Sequence, residues 1–307
     1  MPLTAGGPKT LWFFSGVFLF MGVLVIVATA QALPVALFLP ALYSIFFDRV
    51  SPYTKPLAVA SIPAALIVVP GFMHSVILYM FLIACGVLMH RSASRKDAGM
   101  AVFLPSCLLL ILFILSIRVM AWQEGILFQD IVARWVGDVM NQISVVYDRI
   151  LPSGELADFR INRDAMEARI TDLFWGIIAS SILSIMWLNL VITTALRKTM
   201  QLRTWKSPDW FVGFFILSGL FILMKYDNVR VLGLNLMIVV LQVYFFQGLA
   251  IVASVMTEYN WSKVIRLVVY ILILSQIYIM IVVTALGLFD TWFNFRNMIR
   301  SSEGDIT

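Results

Sequence analysis

Apolar runs of roughly 15 to 25 residues recur along the chain between short polar breaks, close to the length a helix needs to cross a bilayer. The pattern predicts membrane spans near 11–29, 31–47, 56–71, 74–90, 101–121, 172–196, 210–224, 231–256 and 265–289. That makes nine transmembrane helices, or eight if the third and fourth form a re-entrant hairpin around Pro70 and Gly71. The expected fold class is all-α, a polytopic membrane helix bundle.

One stretch, 122–171, breaks the pattern. Phe128, Ile131, Val132, Trp135, Val139, Ile143, Val146 and Ile150 recur every three or four residues, while Asp130, Arg134, Asp138, Asn141 and Gln142 fall mostly elsewhere. This periodicity predicts an amphipathic helix on the outer (periplasmic) side, with Trp135, Val139 and Ile143 as candidate partner-docking positions. Leu151-Pro152-Ser153-Gly154 ends it, and a second helix is expected from about Asn162, read as its cap, into the sixth span. The outer helix has three open roles: capping the bundle, lying among headgroups, or docking a partner.

The chain thus divides into 1–121, 122–171 and 172–307. Nine of the 11 prolines precede residue 106, and Pro34, Pro40, Pro63, Pro70 and Pro105 fall in or beside spans. Proline removes a backbone donor, which lipid tolerates only where protein or a water-filled cavity satisfies the freed carbonyl. The first region therefore reads as five short, broken spans around a cavity, unless these prolines sit at helix ends. The later spans lack proline and read as more rigid.

Composition supports a membrane class: 61% of the 307 residues are apolar and 13% charged, with mean hydropathy +0.95. A soluble domain has about 25% charged residues, and its surface could not hide this excess. The segments around residues 9, 48–55, 91–97, 197–209 and 258–266 hold 12 of 22 basic but 4 of 17 acidic residues. Basic loops stay cytoplasmic, which predicts a cytoplasmic N-terminus and, with nine spans, an outer C-terminus. The run ending Ala28-Thr29-Ala30-Gln31-Ala32 has a small-x-small pattern, but its length favours an uncleaved anchor over a secretory signal. The net charge of +5 follows from topology, and no nucleic-acid motif accompanies it.

Candidate chemistry is sparse. Cys85 and Cys107 lie in apolar runs, which excludes a disulfide-stapled module. His74 and His90 stand at opposite ends of one span, so neither a two-histidine metal site nor a Ser-His pair is expected. No nucleotide-binding or hydrolase motif occurs, and an enzyme is the poorest of the classes. No metal or cofactor is expected. Asp172 and Asp290 stand at the ends of their spans, with no carboxylate deeper, which disfavours proton-coupled antiport. Arg118, near an outer span end, is expected to snorkel or meet the acidic outer segment. Neutral amides do occur inside: Asn189, Asn235, Gln242, Gln247 and Gln276. Asn235 and Gln242 are seven apart and share a helix face, from which Gln247 turns away, so Asn189, Asn235, Gln242 and Gln276 are the candidate substrate-binding residues. Interhelical hydrogen bonding is the competing role.

The run from Pro208-Asp209-Trp210 through Gly233-Leu234-Asn235, Gln247-Gly248-Leu249-Ala250 and Gly287-Leu288-Phe289-Asp290-Thr291-Trp292-Phe293-Asn294-Phe295-Arg296 resembles the YybS-like family of bacterial integral membrane proteins, as does Trp187-Leu188-Asn189-Leu190. The resemblance implies a bacterial inner-membrane protein. It also implies an N-terminal half like the substrate-binding subunits of energy-coupling-factor transporters, with ATP hydrolysis on separate subunits. In the last motif Asp290 and Arg296 flank Trp292 and Phe295, which reads as a helix-end anchor at the interface held by an Asp-Arg pair. Two functions are expected from all this: a non-catalytic transport component binding a small solute, or a scaffold or assembly subunit docking a partner through the outer helix.

Overall fold

The computed structural model describes residues 37–49, 73–150, 153–197 and 200–293. Nearly all of them are helical: α1 (Leu39–Arg49), α2 (Met73–Ser94), α3 (Ala98–Glu124), α4 (Phe128–Ile150), α5 (Ser153–Arg197), α6 (Val212–Ile222), α7 (Asp227–Glu258), α8 (Lys263–Ser275) and α9 (Ile277–Phe293). Short 3-10 turns occupy Leu202–Thr204 and Asp209–Phe211.

Three helices, α3, the part of α5 from Ala157, and α7, are long and apolar enough to cross a membrane; α8 and α9 together make a fourth if read as one bent span. The eight or nine expected spans are therefore not all found among the described residues. The expected spans 11–29 and 56–71, and the start of 31–47, lie outside them. The expected span 210–224 is only the short α6, and 265–289 is two helices meeting at 102°. No proline or glycine marks that bend. It falls at Ser275-Gln276, where the Ser275 hydroxyl donates back to the Ile271 carbonyl, the kind of i−4 bond that bends helices.

The chain forms two compact units. The first comprises 1–110, 182–206 and 249–266. In it α1 crosses α2 at Gly86, where a Cβ would stand 2.8 Å from Cβ of Tyr43, so only glycine admits the crossing. Pro40 sits harmlessly in the first turn of α1, whereas Pro105 lies inside α3, and its carbonyl accepts the Cys85 thiol at 3.6 Å. Pro34, Pro63 and Pro70 lie outside the described residues.

The second unit comprises 111–181, 207–248 and 267–307. Here α4 runs antiparallel to the first half of α5: Phe128 stacks on Trp175 with ring centroids 5.3 Å apart, Asn141 accepts from Arg163, and Tyr147 meets Phe159 edge to face at 4.8 Å. Ile131, Val132, Val136 and Met140 close on Ile117, Ala121 and Phe174. At 45 residues α5 is about 67 Å long, over twice a hydrocarbon core. Its charged stretch from Asp158 to Arg169 must stand outside the apolar layer, where Arg160 pairs with Asp148 at 2.9 Å. Two expectations change here. Asn162 lies within α5 and is no cap; the helix follows directly on Pro152, takes in Ser153 and Gly154, and so starts nine residues earlier. The inward line of α4 also advances in steps of four, so that Val139, Val146 and Ile150 are exposed while Val136 and Met140 are buried.

Candidate functional site

Three buried polar side chains joined by hydrogen bonds lie where α7, α9 and the segment before α6 converge in the second unit. α7 supplies Gln247. Its 32 residues cover about 48 Å, and Gln247 stands about 7 Å from their midpoint, within the middle 30 Å that hydrocarbon would surround. A buried amide there needs both ends satisfied. Its Oε1 accepts from the Ser207 amide at 3.1 Å and from the Ser207 hydroxyl at 2.5 Å, and its Nε2 donates to Oδ2 of Asp290 at 3.1 Å. Gln247 and Asp290 are 0% exposed and Ser207 3%.

Ser207 belongs to non-helical backbone, residues 205–208, between the two 3-10 turns. Non-helical backbone at that depth is tolerated where protein buries it or where it lines a cavity, and Gln247 provides the partner for its N–H. Asp290 comes from the last turn of α9. The two helices approach so closely that a Cβ on Gly248 would overlap the Val283 carbonyl, and one on Gly287 would overlap the Tyr244 carbonyl. These paired glycines bring Gln247 within reach of Asp290. One turn before Gln247, the buried Tyr244 hydroxyl faces the Thr291 side chain.

Asp290 is therefore covered by the fold. Burying a carboxylate takes several kcal/mol of compensation, which is why charges within spans are kept for work more often than for packing. Trp292 of the same motif is 55% exposed, while Phe295 and Arg296 lie outside the described residues.

The other amides are placed differently. Asn189 is wholly buried; it accepts from the Ala41 amide at 2.9 Å and donates to the carbonyls of Leu37 and Ile185. Asn235 accepts from the Gly176 amide at 2.5 Å and donates to the carbonyls of Asp172 and Val231. Each uses both its oxygen and its nitrogen on backbone, joining α5 to α1 in one unit and α5 to α7 in the other. Gln242 is half-buried, and Gln276 is exposed at the α8–α9 bend. Asn189 belongs to the first unit, and Asn235 and Gln276 to the second. On the hairpin, Trp135 packs on Phe113 at 6.1 Å, Ile143 is partly buried, and Val139 is 54% exposed. Arg118, at the hairpin base, lies over the Phe128 ring at 5.2 Å.

Ser207 and Asp290 are not among the residues that the sequence marks for binding. Gln247 reads there as an intramembrane amide turned away from Asn235, and that is the signal: its side chain requires polar partners of its own.

The family model described as "Predicted membrane protein (DUF2232)" matches residues 15–291, and the chain belongs to that family. No curated protein and no solved structure matches it.

Proposed function

We propose that this member of the family is a non-catalytic membrane transport component whose working centre is Ser207, Gln247 and Asp290. The observation that supports it is the convergence of two interrupted elements on a buried carboxylate: non-helical backbone before the short α6, and a helix bent at its start. Discontinuous helices of this kind commonly hold the solute or coupling-ion site of transporters, because their free backbone groups and ends need polar company. The solute site assigned to Asn189, Asn235, Gln242 and Gln276 moves on this reading to the Gln247 side of α7, since Asn189 and Asn235 are consumed by packing. A bacterial inner-membrane location with the N-terminus cytoplasmic, and ATP hydrolysis on separate subunits, complete the proposal.

A second reading, a scaffold that docks a partner through the α4–α5 hairpin, draws on the exposed Val139, Val146 and Ile150, at 52–66% exposure. They lie on a hairpin whose other helix is too polar there to sit in lipid.

Native mass spectrometry of the full chain, extracted in mild detergent from its host at native expression, separates the two. A retained small solute or co-purifying ATPase subunit supports transport. An empty bundle carrying a stoichiometric non-ATPase partner overturns it and establishes the scaffold.

A further inference from the structure

We infer that the turn between α2 and α3, with Arg91, Arg95 and Lys96, binds the headgroup of an anionic phospholipid whose acyl chains lie along the exposed start of α3. This goes beyond the transport reading and does not depend on it.

Lys96 has φ +59°, in the left-handed region that favours glycine. Its amide donates to the Ala93 carbonyl and that of Asp97 to the Ser92 carbonyl, the pair of bonds that ends a helix and that glycine usually completes. Asn260, the other non-glycine residue with positive φ among the described residues, is of a type that tolerates this conformation. Lysine is not, so a cation stands here against the preference of the backbone, and an outlier of that kind points to a use for the side chain. Arg91 and Arg95 flank it in sequence; all three are exposed, and among the described residues none of them pairs with a carboxylate. Asp97, the acidic residue of the turn, commits Oδ1 to the Met100 amide at 2.9 Å and so caps α3. The turn is thereby fixed at both ends, and it presents three cations against one carboxylate.

The turn also stands at the end of a helix long and apolar enough to cross a membrane, which sets it at the depth of the headgroups. Met100, Phe103 and Leu104 follow at 46, 55 and 36% exposure, three and four residues apart and so on one side of α3. A Cβ on Gly99 would stand 3.8 Å from Nε1 of Trp205, which brings that indole beside the turn, and tryptophan is the side chain most at home where headgroups meet acyl chains. Apolar surface running on from a cationic turn fits an amphiphile with a negative headgroup. A zwitterionic headgroup brings an ammonium of its own and gains less from the three cations; an acidic protein segment would match the charge and leave the apolar side of α3 unused.

The purified full chain in detergent is titrated with phosphatidylglycerol or with phosphatidylcholine of the same acyl chains, and bound lipid is read by native mass spectrometry. The wild type is expected to bind phosphatidylglycerol about tenfold more tightly than phosphatidylcholine. Arg91→Gln, Arg95→Gln and Lys96→Gln combined should lose that preference. Arg149→Gln, Arg169→Gln and Lys225→Gln combined, which remove three exposed cations of the second unit, should keep it. Lys96→Gly separates binding from folding: glycine suits the left-handed backbone, so this variant should unfold no lower than the wild type while binding phosphatidylglycerol about fivefold more weakly. No preference in the wild type, a preference that the first triple variant retains or the second loses, or wild-type binding by Lys96→Gly overturns the site. Glycerol 3-phosphate, which offers a phosphate without acyl chains, should not compete at the same concentration; equal competition would make the ligand a soluble phosphate and overturn the lipid. An acidic protein that co-purifies with the wild type and not with the first triple variant, without any lipid preference, would overturn it too.

Discussion

The Gln247 side chain joins Asp290 to Ser207: its nitrogen donates to the carboxylate at 3.1 Å, and its oxygen takes both donors of a serine 40 residues earlier in the chain. One amide thereby fixes a non-helical segment and a helix end to the middle of α7. All three residues are buried, so the bonds are made in a medium where an unmet polar group is costly.

Gln247→Leu should consequently cost more than loss of one ordinary hydrogen bond. It removes a donor from the Asp290 carboxylate and the acceptor from both Ser207 donors, at about 1–3 kcal/mol for each group left unmet. Thermal unfolding in detergent should show a lower midpoint than for Gln242→Leu, which replaces a half-buried amide on the same helix.

Gly287→Ala should destabilise even though alanine is favoured over glycine in helices by about 1 kcal/mol. The new methyl would overlap the Tyr244 carbonyl, which belongs to rigid helix backbone and cannot swing aside. Overpacking of this kind costs about 1–3 kcal/mol. A melting temperature at or above that of the wild type would refute the close crossing.

Asn189→Leu and Asn235→Leu should each lower stability by about 1–3 kcal/mol by leaving backbone groups of neighbouring helices unmet. The affected groups are the Ala41 amide and Leu37 carbonyl in one case, the Gly176 amide and Asp172 carbonyl in the other. Proteolysis of the detergent-solubilised protein should report faster cleavage for both.

The membrane class, the helical content and the amphipathic α4 helix are all legible in the sequence, because apolar run length and periodicity report them directly. The face of that helix is legible only in part. Valines occur on two sides of α4, and periodicity does not say that Val136 and Met140 turn inward while Val139 and Val146 turn out. The α8–α9 bend leaves no mark of the usual kind, since Ser275-Gln276 reads as a polar pause in an apolar run. The burial of Asp290 is not legible for a related reason: position near the end of a run says how far along its helix a residue stands, and the Gly248–Gly287 crossing decides what covers it. Ser207 gives no signal, because loop residues carry no periodicity from which burial can be inferred.

The two faces of α4 separate in a pair of substitutions. Met140→Asp places a charge among Ile117, Val136 and Phe174 and should unfold the hairpin, seen as new protease cleavage within 128–171. Val146→Asp, at a 52% exposed position, should change stability by less than about 0.5 kcal/mol. If Val146→Asp releases a co-purifying partner, the scaffold reading gains what the transport reading loses.

The most direct measurement compares the small molecules retained by the wild-type chain, Gln247→Leu and Asn235→Leu, each extracted from the native host and read by native mass spectrometry. The account predicts a solute held by the wild type and by Asn235→Leu and absent from Gln247→Leu, all three remaining folded. Retention by Gln247→Leu with loss from Asn235→Leu, or no solute in the wild type, would contradict it.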